Sequence, residues 1–282
     1  MRFANNLKTT VLLASLMGLC MLIGHLFLGP YGMLIGLLFG GLGNLIAFFY
    51  SDKIALMSMG GREVQRSDIP WLFDMIERLS QRAGLPMPRV YVCPQAAPNA
   101  FATGRSPNHA ALAVTQGMLR NFPEHEIEGV IAHELGHIRH RDMLISTIAS
   151  VMAGLITYAG YMLMFFGGGQ RRDNPLGLIG VLAMIILAPL AAALIRAAIS
   201  RQREYAADSY AGELCGQPLK LASALQRLRA GNERIPTETP PAFHNLYIVE
   251  PLSASGMTSL FGTHPPIEKR IVALRAQAGR TR

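Results

Sequence analysis

Long apolar runs alternate with charged blocks along this chain. Residues 10–28, 31–50, 143–166 and 176–195 are almost wholly apolar, and each is close to the roughly 20 residues a helix needs to cross the hydrocarbon core of a bilayer. No Asp, Glu, Lys or Arg occurs between Lys8 and Asp52, between Asp142 and Arg171, or between Asp173 and Arg196. Gly29-Pro30, a breaker pair suited to a tight hairpin, separates the first two runs. The polar loop GGGQRRDNP separates the last two, and Pro189 falls where a bundle tolerates a kink. The pattern predicts four transmembrane helices: one hairpin within 1–50 (spans 10–28 and 31–50) and one within 143–195 (spans 143–166 and 176–195). The charged blocks 51–142 and 196–282 then form one soluble body delivered in two pieces. The first run exceeds a signal-peptide core, and no small-x-small cleavage site precedes the second, so it reads as an uncleaved anchor.

Composition agrees. The chain is 50% hydrophobic and only 16% charged, against about a quarter charged in an ordinary soluble protein. That much apolar material also excludes a disordered chain. Basic residues near span ends mark the cytoplasmic side. Arg2, Lys8, Lys53, Arg62, Arg139, Arg141, Arg196, Arg201 and Arg203 share one side of a four-span arrangement, and only Arg171 and Arg172 oppose them. Both termini and both soluble blocks are therefore expected in the cytoplasm. Three cysteines (Cys20, Cys93, Cys215), odd in number and without metal-type spacing, fit a reducing compartment. The net charge of +8 accompanies no nucleic-acid module. Anionic lipid head groups account for it, so the expected partners are the bilayer and polypeptides, with no nucleic acid.

Within the first soluble block, residues 68–84 read as an amphipathic helix. Asp68 is its expected N-cap, Trp71, Met75, Ile76 and Leu79 its apolar face, and Gly84 its stop. RVYVC (89–93) and AALAVTQ (110–116) read as short strands flanking a turn-rich stretch. AALAVTQ is either an interior strand or an edge to which an extended peptide could add.

Residues 123–142 carry the strongest signal. Pro123 and the glutamates after it suit a helix start, and Ile127, Val130, Ile131, Leu135 and Ile138 form an apolar stripe. On that helix His133 and His137 stand at i and i+4, able to grip one metal, with Glu134 beside them as a base. From the histidine and glutamate content, chance would place such an HExxH in about one chain in a hundred. A catalytic zinc needs a third protein ligand. The candidates lie in 199–216, where Glu204 and Asp208 share a helix face. Glu204 is assigned as ligand, with Glu213 as rival, and Asp208 as an acceptor that orients a histidine. Two spans separate His137 from Glu204. An even number returns both to one face of the membrane; an odd number would forbid the site.

HELGH (133–137), a membrane hairpin inserted before REYAAD (203–208), and THPPIEKRI (263–271) occur in this order. With four spans, they resemble the HtpX family of bacterial membrane-integrated zinc endopeptidases, relatives of the CAAX prenyl endopeptidases. The resemblance implies one zinc per chain, held by His133, His137 and Glu204, with Glu134 as general base. It implies a mainly α membrane protein with a cytoplasmic α+β zincin-like domain, acting in quality control of misfolded membrane proteins at the bacterial inner membrane. It also places Asn99 near the cleft, as a substrate contact, and His264 and Arg270 near the metal. His264 is the candidate donor to the tetrahedral intermediate; the plainer alternative is a loop histidine before Pro265.

Three rival readings compete with this one. A site inside the bilayer fails because Glu124, Glu126, Glu128, Arg139, Arg141 and Asp142 flank the motif, and a mid-bilayer charge costs about 3 kcal/mol or more. An inactive metal-binding scaffold or chaperone has no use for Glu134. A transporter is disfavoured by span interiors without charge. Residues 235–262, rich in Pro and Gly, are either a cover for the cleft or a surface excursion.

Overall fold

The computed structural model describes residues 2–153, 201–235, 239, 241–249 and 265–280. Most of the expected third span, all of the fourth, the Arg171–Arg172 loop and His264 lie outside the described residues.

Helix α1 (Arg2–Ser58) is broken once, at Gly29, whose φ of 63° and ψ of −147° are not helical. A side chain there would cost about 1–3 kcal/mol, which glycine avoids. Pro30 begins the second arm, where a missing N–H costs nothing. The arms run antiparallel: Asn44 Nδ2 donates to the Leu13 carbonyl at 2.9 Å. The second arm, Gly29–Ser58, is the one described helix long and apolar enough to cross a membrane. It does not stop at the charges after Tyr50. Ala55 and Leu56 join a buried cluster with Tyr91, Phe101 and Tyr247, so the arm is built into the helix-and-sheet body.

That body follows as β1 (Arg62–Glu63), α2 (Pro70–Ala83), β2 (Arg89–Cys93), β3 (Ala100–Gly104) and β4 (Ala110–Thr115). Helices α3 (Gln116–Asn121), α4 (Glu124–His140) and α5 (Met143–Ala153) complete the first block. Helices α6 (Arg201–Cys215), α7 (Pro218–Arg234) and α8 (Ile267–Arg280) complete the second. The sheet order is β1-β2-β4-β3, with β2 parallel and β3 antiparallel to β4. Thus β4 is interior, paired on both sides, and takes no added peptide; β1 and β3 are the edges. The sequence hid β3 because AFATG is short, small-sided and set among turn residues, and its pairing with β4 makes it a strand.

Two local expectations are corrected. Asp68 does not cap α2: its carboxylate accepts from the Gln65 N–H at 2.9 Å, and Ile69 occupies the cap. Leu72, not Trp71, completes the buried face with Met75, Ile76 and Leu79, leaving Trp71 half-buried. Gly84 stops the helix in the left-handed conformation.

The five apolar positions expected on α4 are all buried. Three of its acids are buried as well, and two of them staple it to its neighbours. Glu126 receives Ser223 and Arg227, and Glu128 receives Lys220 and Arg78. Burial raises the Glu128 pKa, but Lys220 and Arg78 outweigh it and hold the group below its ordinary value. Gly129 lets α7 come close, since a Cβ there would lie 2.6 Å from the Leu221 backbone nitrogen. Gly129→Ala should therefore lower the thermal stability of the purified protein. A backbone clash costing about 1–3 kcal/mol exceeds the helix preference of alanine, about 1 kcal/mol. An unchanged or raised Tm would show that α7 yields freely.

Candidate metal centre

His133 and His137, one turn apart on α4, present their rings at right angles, with Nε2 atoms 3.2 Å apart. Helix α6 packs across α4 and delivers Glu204, whose oxygens lie 3.8 Å from His133 Nε2 and 3.5 Å from His137 Nε2. Donors around a tetrahedral zinc, each at about 2.0–2.1 Å, stand about 3.3 Å from one another. The three residues fit that ion. They are the one group of three or more His, Cys, Asp or Glu among the described residues whose donor atoms can share a metal, all within 4.8 Å. Glu213, the rival, is exposed and outside the group.

Each histidine is held from behind by a carboxylate. Asp208, one turn after Glu204, lies 3.0 Å from His133 Nδ1. Arg270 of α8 is fully buried and donates to both Asp208 oxygens, at 2.8 and 2.7 Å, and to the Ile248 carbonyl. Burial alone would raise Asp208, but Arg270 and His133 reverse the sign and bring its pKa down to about 2. His137 Nδ1 meets Asp142 at 3.2 Å, and Arg203 approaches the other Asp142 oxygen at 3.7 Å. Burial opposes a proton on His137, yet Asp142, Glu204 and Glu134 raise its pKa to about 9. A field that favours a proton on this ring also favours a cation.

Sequence reasoning missed Asp142 and Arg203. Helical periodicity cannot project past a helix end, and Asp142 lies beyond α4. It turns back because Arg141 adopts the left-handed conformation (φ 60°) and the Asp142 N–H bonds the His137 carbonyl. The available signal was an acid just after the helix stop, five places after the second histidine.

Glu134 is buried beside the pair, and its carboxylate accepts the Ala102 N–H of edge strand β3 at 2.7 Å. Burial pushes its pKa above the ordinary value, against the opposing charges of His137 and His133. A cavity of about 50 Å³ reaches Glu134, Glu204, Ala102, Tyr247 and Ile248, room for an ion and a water. The described part of the 235–262 segment thus lies over the centre. Asn99 clasps that segment: its Oδ1 accepts from Ile248 N–H and its Nδ2 donates toward the Leu246 carbonyl. Asn99 is fully buried and outside the cavity lining, and its side chain holds residues 246–248 in place. The three cysteines are free. Burial pushes Cys93 up to about 12 and Cys215 to about 11, which excludes both as thiolate nucleophiles at neutral pH.

A paired-histidine helix, a glutamate from a second helix and a carboxylate base beside them, joined to a long apolar helix, define a membrane-associated zinc metallopeptidase. The profile of Peptidase family M48 matches residues 66–278, and the chain belongs to that family. It is 46% identical to a protease HtpX homolog of Desulforapulum autotrophicum, over 96% of this chain and 89% of that protein. It is also 46% identical to one from a Sulfurihydrogenibium species, over 98% and 97%. Among solved structures it shares its fold with S. mikatae Ste24p, at a TM-score of 0.51 and 20% identity, covering 96% of this chain and 66% of that one.

Removing an acid that orients a metal-bound histidine weakens binding by about 10–100-fold. Asp142→Asn should raise the zinc dissociation constant by that factor in a chelator competition. Wild-type affinity would reduce Asp142 to a helix-end residue.

Proposed function

We propose that this chain is a multi-pass endopeptidase of the bacterial inner membrane, with its centre and both termini in the cytoplasm. It would hydrolyse misfolded or damaged membrane proteins. One observation carries the reading: three donors at 3.2 to 3.8 Å on two helices, with a buried carboxylate beside them. Apolar α5 begins at Met143, directly after Asp142, so the centre would stand at the membrane surface, within reach of loops and unfolded termini.

In this reading His133, His137 and Glu204 hold the zinc. When bound, zinc supplies Lewis-acid chemistry, activating water and polarising the scissile carbonyl. Glu134 takes the proton of the attacking water on its carboxylate and returns it to the leaving amine. Its elevated pKa suits both transfers, and the Ala102 N–H fixes its orientation. Asp208 and Asp142 keep the Nδ1 protons on their own side, so that each Nε2 faces the metal. Arg270 fixes Asp208. His264, six positions before Arg270, is the proposed donor to the developing oxyanion.

Glu134→Gln should retain zinc and lose about 10²–10⁴-fold in chelator-sensitive casein cleavage; full activity would remove the base assignment. Glu204→Ala should sharply lower zinc content, and an unchanged content would remove it as a ligand. His264→Ala should lower kcat with metal retained, and normal turnover would leave it a loop residue.

A further inference from the structure

A second cleft, of about 590 Å³, opens where the Gly29–Ser58 arm meets the turn between β3 and β4. Phe49, Tyr50, Lys53, Arg89, Arg105 and His109 line it. Phe49 and Tyr50 are half exposed at the end of the apolar run, continuous with exposed Leu42, Leu45 and Ile46. Cations stand over both rings, Lys53 Nζ 5.3 Å from the centre of Tyr50 and the Arg105 guanidinium 5.6 Å from that of Phe49. Arg89 is already committed, donating to Asp52 and to the Tyr91 hydroxyl at 3.0 Å each. Lys53 and Arg105 have no carboxylate partner within 4 Å among the described residues. Three cations against Asp52 leave two positive charges before His109 is counted.

The turn is shaped to deliver them. Gly104 has a φ of +131°, and a Cβ there would lie 2.1 Å from the His109 carbonyl oxygen. Only glycine lets the chain fold this tightly, with Arg105 and His109 both at the cleft.

We propose that this cleft binds the phosphate head group of an anionic phospholipid, with Lys53 and Arg105 as its ligands and Phe49 and Tyr50 at the level of the head groups. Aromatic side chains concentrate at that level, and basic residues beside it draw anionic lipid. A lipid fits better than a free phosphate because the cleft runs directly into the apolar face of the arm. The bound head group would tie the β3–β4 turn to the membrane, and with it the edge strand whose Ala102 meets Glu134. The inference rests on the reading of Gly29–Ser58 as a membrane-spanning helix.

The test titrates the purified full chain in neutral detergent with phosphatidylglycerol, phosphatidylcholine or inorganic phosphate, read by native mass spectrometry and by Tm. Phosphatidylglycerol should bind and raise Tm; phosphatidylcholine should not. The Lys53→Gln/Arg105→Gln pair should weaken phosphatidylglycerol binding by roughly thirty-fold, and Lys53→Arg/Arg105→Lys should retain it. Equal binding of both lipids, or wild-type binding by the glutamine pair, would overturn the proposal. Equal protection by inorganic phosphate would overturn the lipid assignment in favour of a free anion. Casein cleavage by the glutamine pair in detergent should match wild type, so a loss of lipid binding is told apart from a failed protease. Labelling of Leu38→Cys and Tyr50→Cys in vesicles reads the span separately: only Tyr50→Cys should react with a polar reagent.

Discussion

Charge balance in a buried centre is the constraint on which the rest of this structure depends. Glu134, Asp142, Glu204 and Asp208 each retain less than a tenth of their exposure, as do Arg203 and Arg270. Burying an ion costs several kcal/mol unless its charge is met. Two guanidiniums against four carboxylates leave a negative balance that favours a proton or a metal cation at the histidine pair, so the packing and the chemistry of the centre have one origin. The two histidine–carboxylate–arginine chains serve both ends: they neutralise part of the charge and fix which nitrogen of each ring faces the metal.

The same balance explains how the two charged stretches of the chain are joined. Arg203, Glu204 and Asp208 come from α6 and Arg270 from α8, while the histidines, Glu134 and Asp142 come from the first block. Neither block can bury its own charges alone. Glu126 and Glu128 repeat the arrangement farther up α4, where cations from α2 and α7 meet them. Helix α4 is thus tied along its length by charges that each require a partner from another segment, and the apolar stripe beneath supplies the area.

Much of this was legible in the linear chain because the relevant periodicities are short. The i, i+4 pairing of His133 with His137, and of Glu204 with Asp208, follows from 3.6 residues per turn wherever a helix forms. The stripe on α4 follows for the same reason, and the break at Gly29-Pro30 lies within reach of local sterics. Expectations failed where a competing partner, even one only a few residues away, decided the outcome. Asp68 found the Gln65 N–H and not a helix end, and AFATG became a strand only because β4 lay beside it. The side-chain hydrogen bonds of Asn99 go to residues almost 150 positions away, which no local pattern could show.

The sequence by itself determined the apolar arms, the metal-gripping helix face and the acids one turn apart on α6, since each depends on neighbours within a few residues. Only the tertiary structure decided that Glu204 rather than Glu213 meets the histidines, that Asp142 turns back onto His137, and that residues 246–248 roof the centre. Those outcomes depend on how helices cross and where a chain re-emerges after its cap. Such geometry is fixed by packing over the whole body, not by any local repeat.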